Sequence, residues 1–413
     1  MKALDDFEFR HKTVLLRVDI NSPIDAVTKR IVNENRIEKS LPTIRRLLDS
    51  GAKLAIIAHQ GDTLDYENLI PMREHAERLS AHLGRRVDYI DDVAGPAAQE
   101  KVKALAPGEA VLLGNLRYLS EEISTFENAV KLSPDQMLNT YLVRGLAPLV
   151  DYYVNDAFAA AHRNAPSMVA FQELKPAAAG DLLFKEVAAL DTVMTSARRP
   201  SVFVLGGAKI SDAFGMMEQV LDRGAADTIL TCGITGEIML LAKGYSLGER
   251  KERFLKDRAL DAFVEDSKSY IAAFGDKIAM PEDLAYAIDG ERREILIEDL
   301  PADHMTMDIG SKTIARYRQI IGSAGTLFVN GPAGVYEEAA FEEGTRAIWK
   351  ALAASSGYSV IGGGDTVTAA AKFIDLDDIG YVCTAGGAMV RYLSGKTLPL
   401  IAAMEKAYER DSA

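Results

Sequence analysis

Short runs rich in β-branched and aromatic residues alternate with longer stretches of helical periodicity along the whole chain. In the first half, residues 13–18, 53–58, 87–90, 110–113 and 152–155 read as strands. In the second half, 201–205, 228–231, 277–280, 326–329, 358–361 and 381–384 do so. Many of these runs are continuously apolar, the pattern of strands covered on both faces. Helical stretches such as 36–50 and 342–355 lie between them. Strand and helix in alternation predict βαβ units and parallel sheets. With about five or six strands in each half, the pattern predicts an α/β fold of two doubly wound parallel-sheet domains joined by a helical hinge. The expected boundaries are 1–168, a connector at 169–199 that contains FKEVAALDTVM, and 200–395. A helical connector makes a semi-rigid hinge.

Composition narrows the function. A chain of 413 residues at 48% hydrophobic can bury large cores. The formal net charge of −13 argues against general affinity for nucleic acid or an anionic membrane, though not against a local basic patch. Cys232 and Cys383 stand far apart and outside any CxxC pair, so neither a disulfide framework nor a zinc site is expected. MKALDDFEFR carries no apolar signal region, and no run approaches a membrane span in length. The expectation is a soluble cytoplasmic protein.

Three glycine-rich turns follow strands and precede helical patterns. They are Gly206-Gly207-Ala208-Lys209, Gly362-Gly363-Gly364-Asp365-Thr366 and Ala385-Gly386-Gly387-Ala388. Backbone N–H groups at a helix start can cradle phosphate, and a missing Cβ lets the ligand approach. One such loop is more often a tight turn. Three in one half of the chain, with Lys209 and Asp365 among them, point to a polyphosphate. Neither standard nucleotide motif is present. Gly395-Lys396-Thr397 resembles the end of a P-loop, but Val390 stands where its first glycine belongs. Gly362-x-Gly364 lacks the last glycine of a dinucleotide fingerprint, where Val367 stands.

The first half holds Arg17, Arg36, His59, Arg117, His162 and Arg163 at strand ends or in loops, with Asp19 and Asn21 just after Arg17. Any single arginine there reads most simply as a solvated side chain. Together, at the ends of several βα units, they can converge on one anion, which the guanidinium fork suits. His75 and His82, seven apart on a helical pattern, read as packing or surface residues and not as metal ligands.

These motifs resemble the phosphoglycerate kinase family, in its archaeal form, over essentially the whole chain. Arg17-Val18-Asp19-Ile20-Asn21-Ser22-Pro23 is similar to RVDFNVP, and Ala58-His59-Gln60-Gly61 to the SHxG turn. Asn115-Leu116-Arg117-Tyr118 resembles ENLRF, and the run from Asn155 to Arg163 resembles NDAFGxAHR. The later motifs are Leu205 to Lys209 for LGGAK, Asn330 to Glu337 for NGPxGVFE, and Ile361 to Thr366 for IGGGDT.

The resemblance implies a 3-phosphoglycerate site in the first domain, from Arg17, Asp19, Asn21, Arg36, His59, Arg117 and Arg163. It implies an ADP/ATP site in the second, from Gly207, Lys209, Gly233, Asn330, Pro332, Glu337, Gly362, Gly363, Gly364, Asp365 and Thr366. Arg36, Lys209, Gly363 and Gly386 would act in catalysis, and Asp365 would meet Mg²⁺ with the nucleotide. Residues 396–413 would fold back onto the first domain. The implied reaction is reversible phosphoryl transfer between 1,3-bisphosphoglycerate and ADP, giving 3-phosphoglycerate and ATP, by in-line transfer on domain closure. The implied partners are these small molecules, with no nucleic acid or membrane, in a monomer or homodimer. The attacking group is already anionic, so no general base is needed, and positioning plus charge stabilisation suffice.

Four positions depart from the family pattern. Asp62 stands where an arginine is usual, Gly114 replaces a glutamate, Ala385 replaces a glycine and Ala213 replaces a lysine. Asp62 puts a carboxylate beside the expected phosphate site. It leaves two alternatives open: a kinase for a related phosphorylated acid, or a non-catalytic nucleotide-binding paralogue.

Overall fold

The structure is a computed structural model and describes residues 1–62, 64 and 66–412. The chain forms two compact units, Met1–Val187 with Thr397–Ala413, and Ala188–Lys396.

The first unit is built on β1 (Thr13–Arg17), β2 (Lys53–Ile57), β3 (Val87–Tyr89), β4 (Ala110–Leu112), β5 (Tyr152–Asn155) and β6 (Ala177–Ala179). They form one parallel sheet in the order β3-β4-β2-β1-β5-β6. Val14 and Leu16 face one core cluster while Leu15 between them is equally buried on the other face. That is why the strand reads as apolar throughout rather than alternating. The helix Asn35–Asp49 covers the sheet with Ile37, Leu41, Ile44 and Leu48, a helical stripe at three- and four-residue spacing.

The second unit contains β7 (Ser201–Leu205), β8 (Thr228–Thr231), β9 (Ile278–Ala279), β10 (Asp283–Ile288), β11 (Glu291–Leu296), β12 (Asp308–Ile309), β13 (Thr326–Asn330), β14 (Tyr358–Ile361) and β15 (Tyr381–Val382). Six of them make a parallel sheet ordered β15-β14-β13-β7-β8-β9. Two parallel six-stranded sheets with helices around them are the α/β architecture that the hydrophobic pattern predicts.

Several features go beyond the sequence reading. β6 lies inside the stretch 169–199, which therefore is not helical throughout; its helix is Asp181–Thr195. Three alanines carry no strand signal of their own, and pairing with β5 decides their conformation. The antiparallel sheet β11-β10-β12 is also new. Its hairpin turns at Asp289 and Gly290, both at positive φ, which is the Asp-Gly turn favoured between paired strands.

The last helix, Pro399–Ser412, belongs to the first unit. Leu400 N donates to Ala161 O at 3.2 Å, and Arg410 Nη1 donates to Gln172 O at 2.7 Å. Ala413 lies outside the described residues. Among the described residues no helix is long and apolar enough to cross a membrane.

Candidate functional site

In an open parallel sheet, the loops after the strands' carboxyl ends gather along one edge. In the first unit the neighbours β4, β2, β1 and β5 each deliver one group to that edge. β1 ends on Arg17, level with Ile57 of β2 and Asn155 of β5. His59 follows β2, Arg117 follows β4, and Arg163 closes the loop after β5.

Arg17 is only 3% exposed. Its Nη2 lies 2.8 Å from His59 Nδ1, its Nε donates to Ser167 Oγ at 3.3 Å, and its Nη1 donates to Val18 O. A guanidinium has only protons to offer, so His59 Nδ1 must accept and the ring proton must sit on Nε2. The surroundings agree. Burial pushes His59 well below the usual histidine range, and the charges of Arg17, Arg117, Arg36 and Arg163 push it further. His59 is therefore a neutral N–H donor in a ring of four guanidinium groups. Burial also lowers Arg117, to about 10, with Arg163 and Arg17 adding to the shift, and it stays cationic at neutral pH.

Each arginine is aimed by a fixed acceptor. Arg36 Nη1 donates to both oxygens of Asp19 at 3.0 and 3.1 Å. Arg117 Nη1 donates to Glu122 O at 2.5 Å, and Arg163 Nε donates to Glu127 Oε2 at 2.6 Å. Arg163 Nη2 is buried and meets no acceptor among the described residues. A buried cationic donor without a partner is costly, and a bound anion would satisfy it. Asn21 Oδ1 accepts from Gly61 N at 3.0 Å, which closes the turn after His59. Beside these groups, a cavity of about 300 Å³ is lined by Asn21, Arg36, Gln60 and Asp62, and Asp62 is exposed.

The sequence reading missed the groups that hold this ring. Glu122 is fully buried and accepts from Ser167 N at 2.7 Å and Ser167 Oγ at 2.6 Å. Burial raises its carboxyl above the usual range, while the Ser167 bonds and the charges of Arg17 and Arg117 hold it down. Gln60 Oε1 accepts from Ser22 N and His75 Nε2, both at 2.9 Å. A glutamate and a glutamine in loops carry no distinguishing signal in a single sequence.

The second unit is made differently. Helices Ile210–Asp222, Gly233–Lys243, Gly364–Phe373 and Gly386–Leu393 start just after β7, β8, β14 and β15, and none has a side-chain cap. Apart from Gly233 N, their first N–H groups stay available to an anion. The loops are tied together by backbone: Gly206 N donates to Asn330 O at 2.9 Å, Gly207 N to Pro332 O at 2.8 Å and Gly233 N to Ala333 O at 3.0 Å. Asn330 Nδ2 donates to Gly362 O at 2.7 Å, and Gly331 N donates to Thr366 Oγ1 at 2.9 Å. Gly363 has φ 102°, and a Cβ on Gly386 would lie 3.0 Å from its Cα, so these two turns touch where only glycine fits.

Lys209 and Asp365 pair at 3.3 Å and are 73% and 69% exposed, so Lys209 is not a buried structural cation. Gly207, Gly233, Pro332, Glu337 and Asp365 share a cavity of about 280 Å³. Among the described residues no cluster of three or more side chains is built to hold a metal. One exposed carboxylate beside phosphate-ready loops suits Mg²⁺, which keeps waters and shares one or two protein carboxylates with phosphate oxygens.

A family model for phosphoglycerate kinase matches residues 4–396. The chain is 40% identical to the phosphoglycerate kinase of Methanothermobacter thermautotrophicus over 406 residues, covering 98% of this chain and 97% of that protein. It is 40% identical to that of Thermococcus kodakarensis over 416 residues, covering 99% and 98%. Among solved structures, phosphoglycerate kinase from Pyrococcus horikoshii OT3 superposes with a TM-score of 0.84 at 39% identity, covering 99% of this chain and 100% of that one. The enzyme from Coxiella burnetii gives 0.83 at 31% identity, with 99% of each chain covered. Taken with the cationic ring of one unit and the glycine loops of the other, these likenesses show that the chain belongs to the phosphoglycerate kinase family.

Proposed function

We propose that the arginine ring of the first unit binds 3-phosphoglycerate and that the glycine loops of the second bind Mg-ADP or Mg-ATP, for reversible phosphoryl transfer to and from the substrate carboxylate. The observation that carries this reading is the ring itself: four guanidinium groups around a neutral His59, one with a buried, unsatisfied donor.

The roles follow from the geometry. Arg17 is locked by Ser167, Val18 and His59, so it serves as fixed charge. His59 Nε2–H, Arg117 and Arg163 offer donors to the phosphate of the substrate. Arg36 is more exposed and is held by Asp19 alone among the carboxylates, which leaves part of its fork for the reacting carboxyl group. The acceptor carboxylate needs no base, so these residues orient the anion and offset charge that builds up during transfer. In the second unit, Lys209 and the N–H groups of Gly363, Gly364, Gly386 and Gly387 meet the phosphates, and Glu337 meets the ribose. Asp365 would hold Mg²⁺, which would supply charge neutralisation to the phosphates. We place this reaction in the cytoplasm, since its reactants are soluble anions.

Asp62 does not change the substrate on this reading. It is exposed at the rim of the cavity, where solvent screens it, and it leaves all four arginines in place. A coupled assay with 3-phosphoglycerate and Mg-ATP tests the proposal. Saturable turnover that needs both reactants is expected. Absence of turnover in folded, nucleotide-binding protein sinks it in favour of a binding-only role, and turnover confined to another phosphorylated acid favours a different substrate.

A further inference from the structure

The antiparallel sheet β11-β10-β12 belongs to neither parallel sheet, yet one of its side chains holds the loop that follows β13. β11 carries Arg292, whose side chain turns inward and is only 20% exposed. Its Nη1 donates to Asp308 Oδ2 at 2.8 Å and to Ala340 O at 2.9 Å, and its Nη2 donates to Ile309 O at 2.7 Å. One planar fork thus joins β12 to the loop after β13, a geometry that an ammonium cannot copy.

Asp308 is the other half of this clamp. Its side chain is fully buried, and Oδ2 also accepts from Gly344 N at 2.8 Å, in the first turn of helix Glu343–Ala353. Burial raises the Asp308 carboxyl to about 6, while the Gly344 N–H and Arg292 hold it down. A Cβ on Gly334 or Gly344 would stand 2.4 or 2.2 Å from Asp308 Oδ1, so both ends of the loop pack onto the carboxylate where only glycine fits. Val335 N donates to Met307 O at 2.9 Å, one residue before Asp308. Between these anchors the loop carries Glu337, which is exposed. An exposed side chain gains little restraint from packing, so its place is set by how the backbone on either side is held.

We propose that Arg292 is a positioning residue for the nucleotide: through Asp308 and Ala340 it fixes the 333–342 loop so that Glu337 stands where the ribose hydroxyls arrive. This rests on the nucleotide site proposed above, and it gives the antiparallel hairpin a task in substrate binding. The phosphate loops are tied by other bonds, among them Gly206 N to Asn330 O and Asn330 Nδ2 to Gly362 O. Loss of the clamp therefore costs affinity for the sugar and not for the phosphates.

The test measures binding of ADP and of 2′,3′-dideoxy-ADP to the full chain by calorimetry with Mg²⁺. Wild type is expected to bind ADP about tenfold more tightly, as hydrogen bonds to a carboxylate imply, and Glu337→Ala should bring that ratio to about one. Arg292→Met keeps the apolar stem and removes the fork. It should reduce the ratio to about threefold or less, while affinity for the dideoxy nucleotide stays within about twofold. Because that variant leaves Asp308 buried without its cation, Arg292→Lys, which retains the charge and loses the fork, is measured beside it and should show the same loss of discrimination. A purely structural role would lower thermal stability and leave the ratio untouched. An unchanged ratio in either folded Arg292 variant, with Glu337→Ala abolishing it, overturns the clamp and leaves the nucleotide site standing. Equal binding of both nucleotides by wild type, or a full ratio in Glu337→Ala, removes the ribose contact and the clamp with it. Failure of wild type to bind either nucleotide overturns the nucleotide site itself.

Discussion

On the proposed reading, the two units bind anions by opposite means. In the first, the candidate ligand-facing groups are charged side chains, and each is held by a buried or half-buried acceptor: the Asp19 or Glu127 carboxylate, or the Val18 or Glu122 backbone carbonyl. In the second, the framework is backbone N–H groups on glycine turns, and the charged residues Lys209 and Asp365 are mostly exposed. The difference is one of where preorganisation resides. Side-chain charges must be gathered against their own repulsion, so the first site is tied into the core that restrains it. Backbone donors come already ordered by the helices, so the second site needs shape more than restraint.

Mutations should therefore separate activity from stability in one unit and not in the other. The largest effect is expected for Arg36→Ala, with kcat falling about 100- to 1000-fold, as for the loss of one transition-state charge contact, and nucleotide affinity unchanged. An unaltered kcat would remove Arg36 from the reaction. Lys209→Ala should also slow turnover strongly yet leave thermal stability within about 0.5 kcal/mol, because the side chain is 73% exposed. Glu122→Gln is the counterpart in the first unit. It should cost about 2 kcal/mol of stability and reduce turnover together, because the buried charge that offsets Arg17 and Arg117 goes with it. A denaturation curve and one rate per variant decide whether the two units differ as described.

Acid should distinguish the restraining network too. Burial depresses His75 to about 4, against 6.5 for a free ring, so the unfolded chain takes up its proton first as pH falls. Stability from this residue is complete above pH 6.5 and declines between 6.5 and about 4, by roughly 2 kcal/mol at pH 5. His75→Gln should flatten that decline relative to wild type. Asp156 in the same unit works the other way. It is raised by burial to about 6, so its protonation favours the folded state as pH falls below that value. The difference between variant and wild type, not the total curve, isolates the histidine. The smallest effect is expected at Asp62. Asp62→Arg should lower KM for 3-phosphoglycerate about threefold at low salt, less at 0.15 M, and leave KM for ATP in place. Loss of the reaction in that variant would instead make Asp62 a substrate-recognising group.

Sequence reading reached the residues that the structure gathers at the strand ends better than what supports them. The parallel sheets were legible because strands buried on both faces must be continuously apolar, as β1 and β13 are. The glycine loops were legible because few other residues tolerate such turns. β6 was not, since Ala177–Ala179 becomes a strand only by pairing with β5. Nor were Glu122, Gln60 and Ser167, whose importance comes from burial beside Arg17 and His59 and not from residue type. The hairpin β10–β11 was within reach, because Asp289-Gly290 is its turn signal, but the charged run ERREIL obscured it.

The placement of helix Pro399–Ser412 also sets an order of events during synthesis. Residues 1–187 leave the ribosome first, yet the element that covers Ala161 and Gln172 is made last, after all of Ala188–Lys396. At about 5–20 residues per second, those intervening residues take roughly 10–40 s to translate. The second unit is contiguous and can complete its sheet during that interval. The surface of the first unit that Leu400, Ile401 and Met404 bury stays uncovered until then, so the earlier-made half of this protein is the later one to be completed.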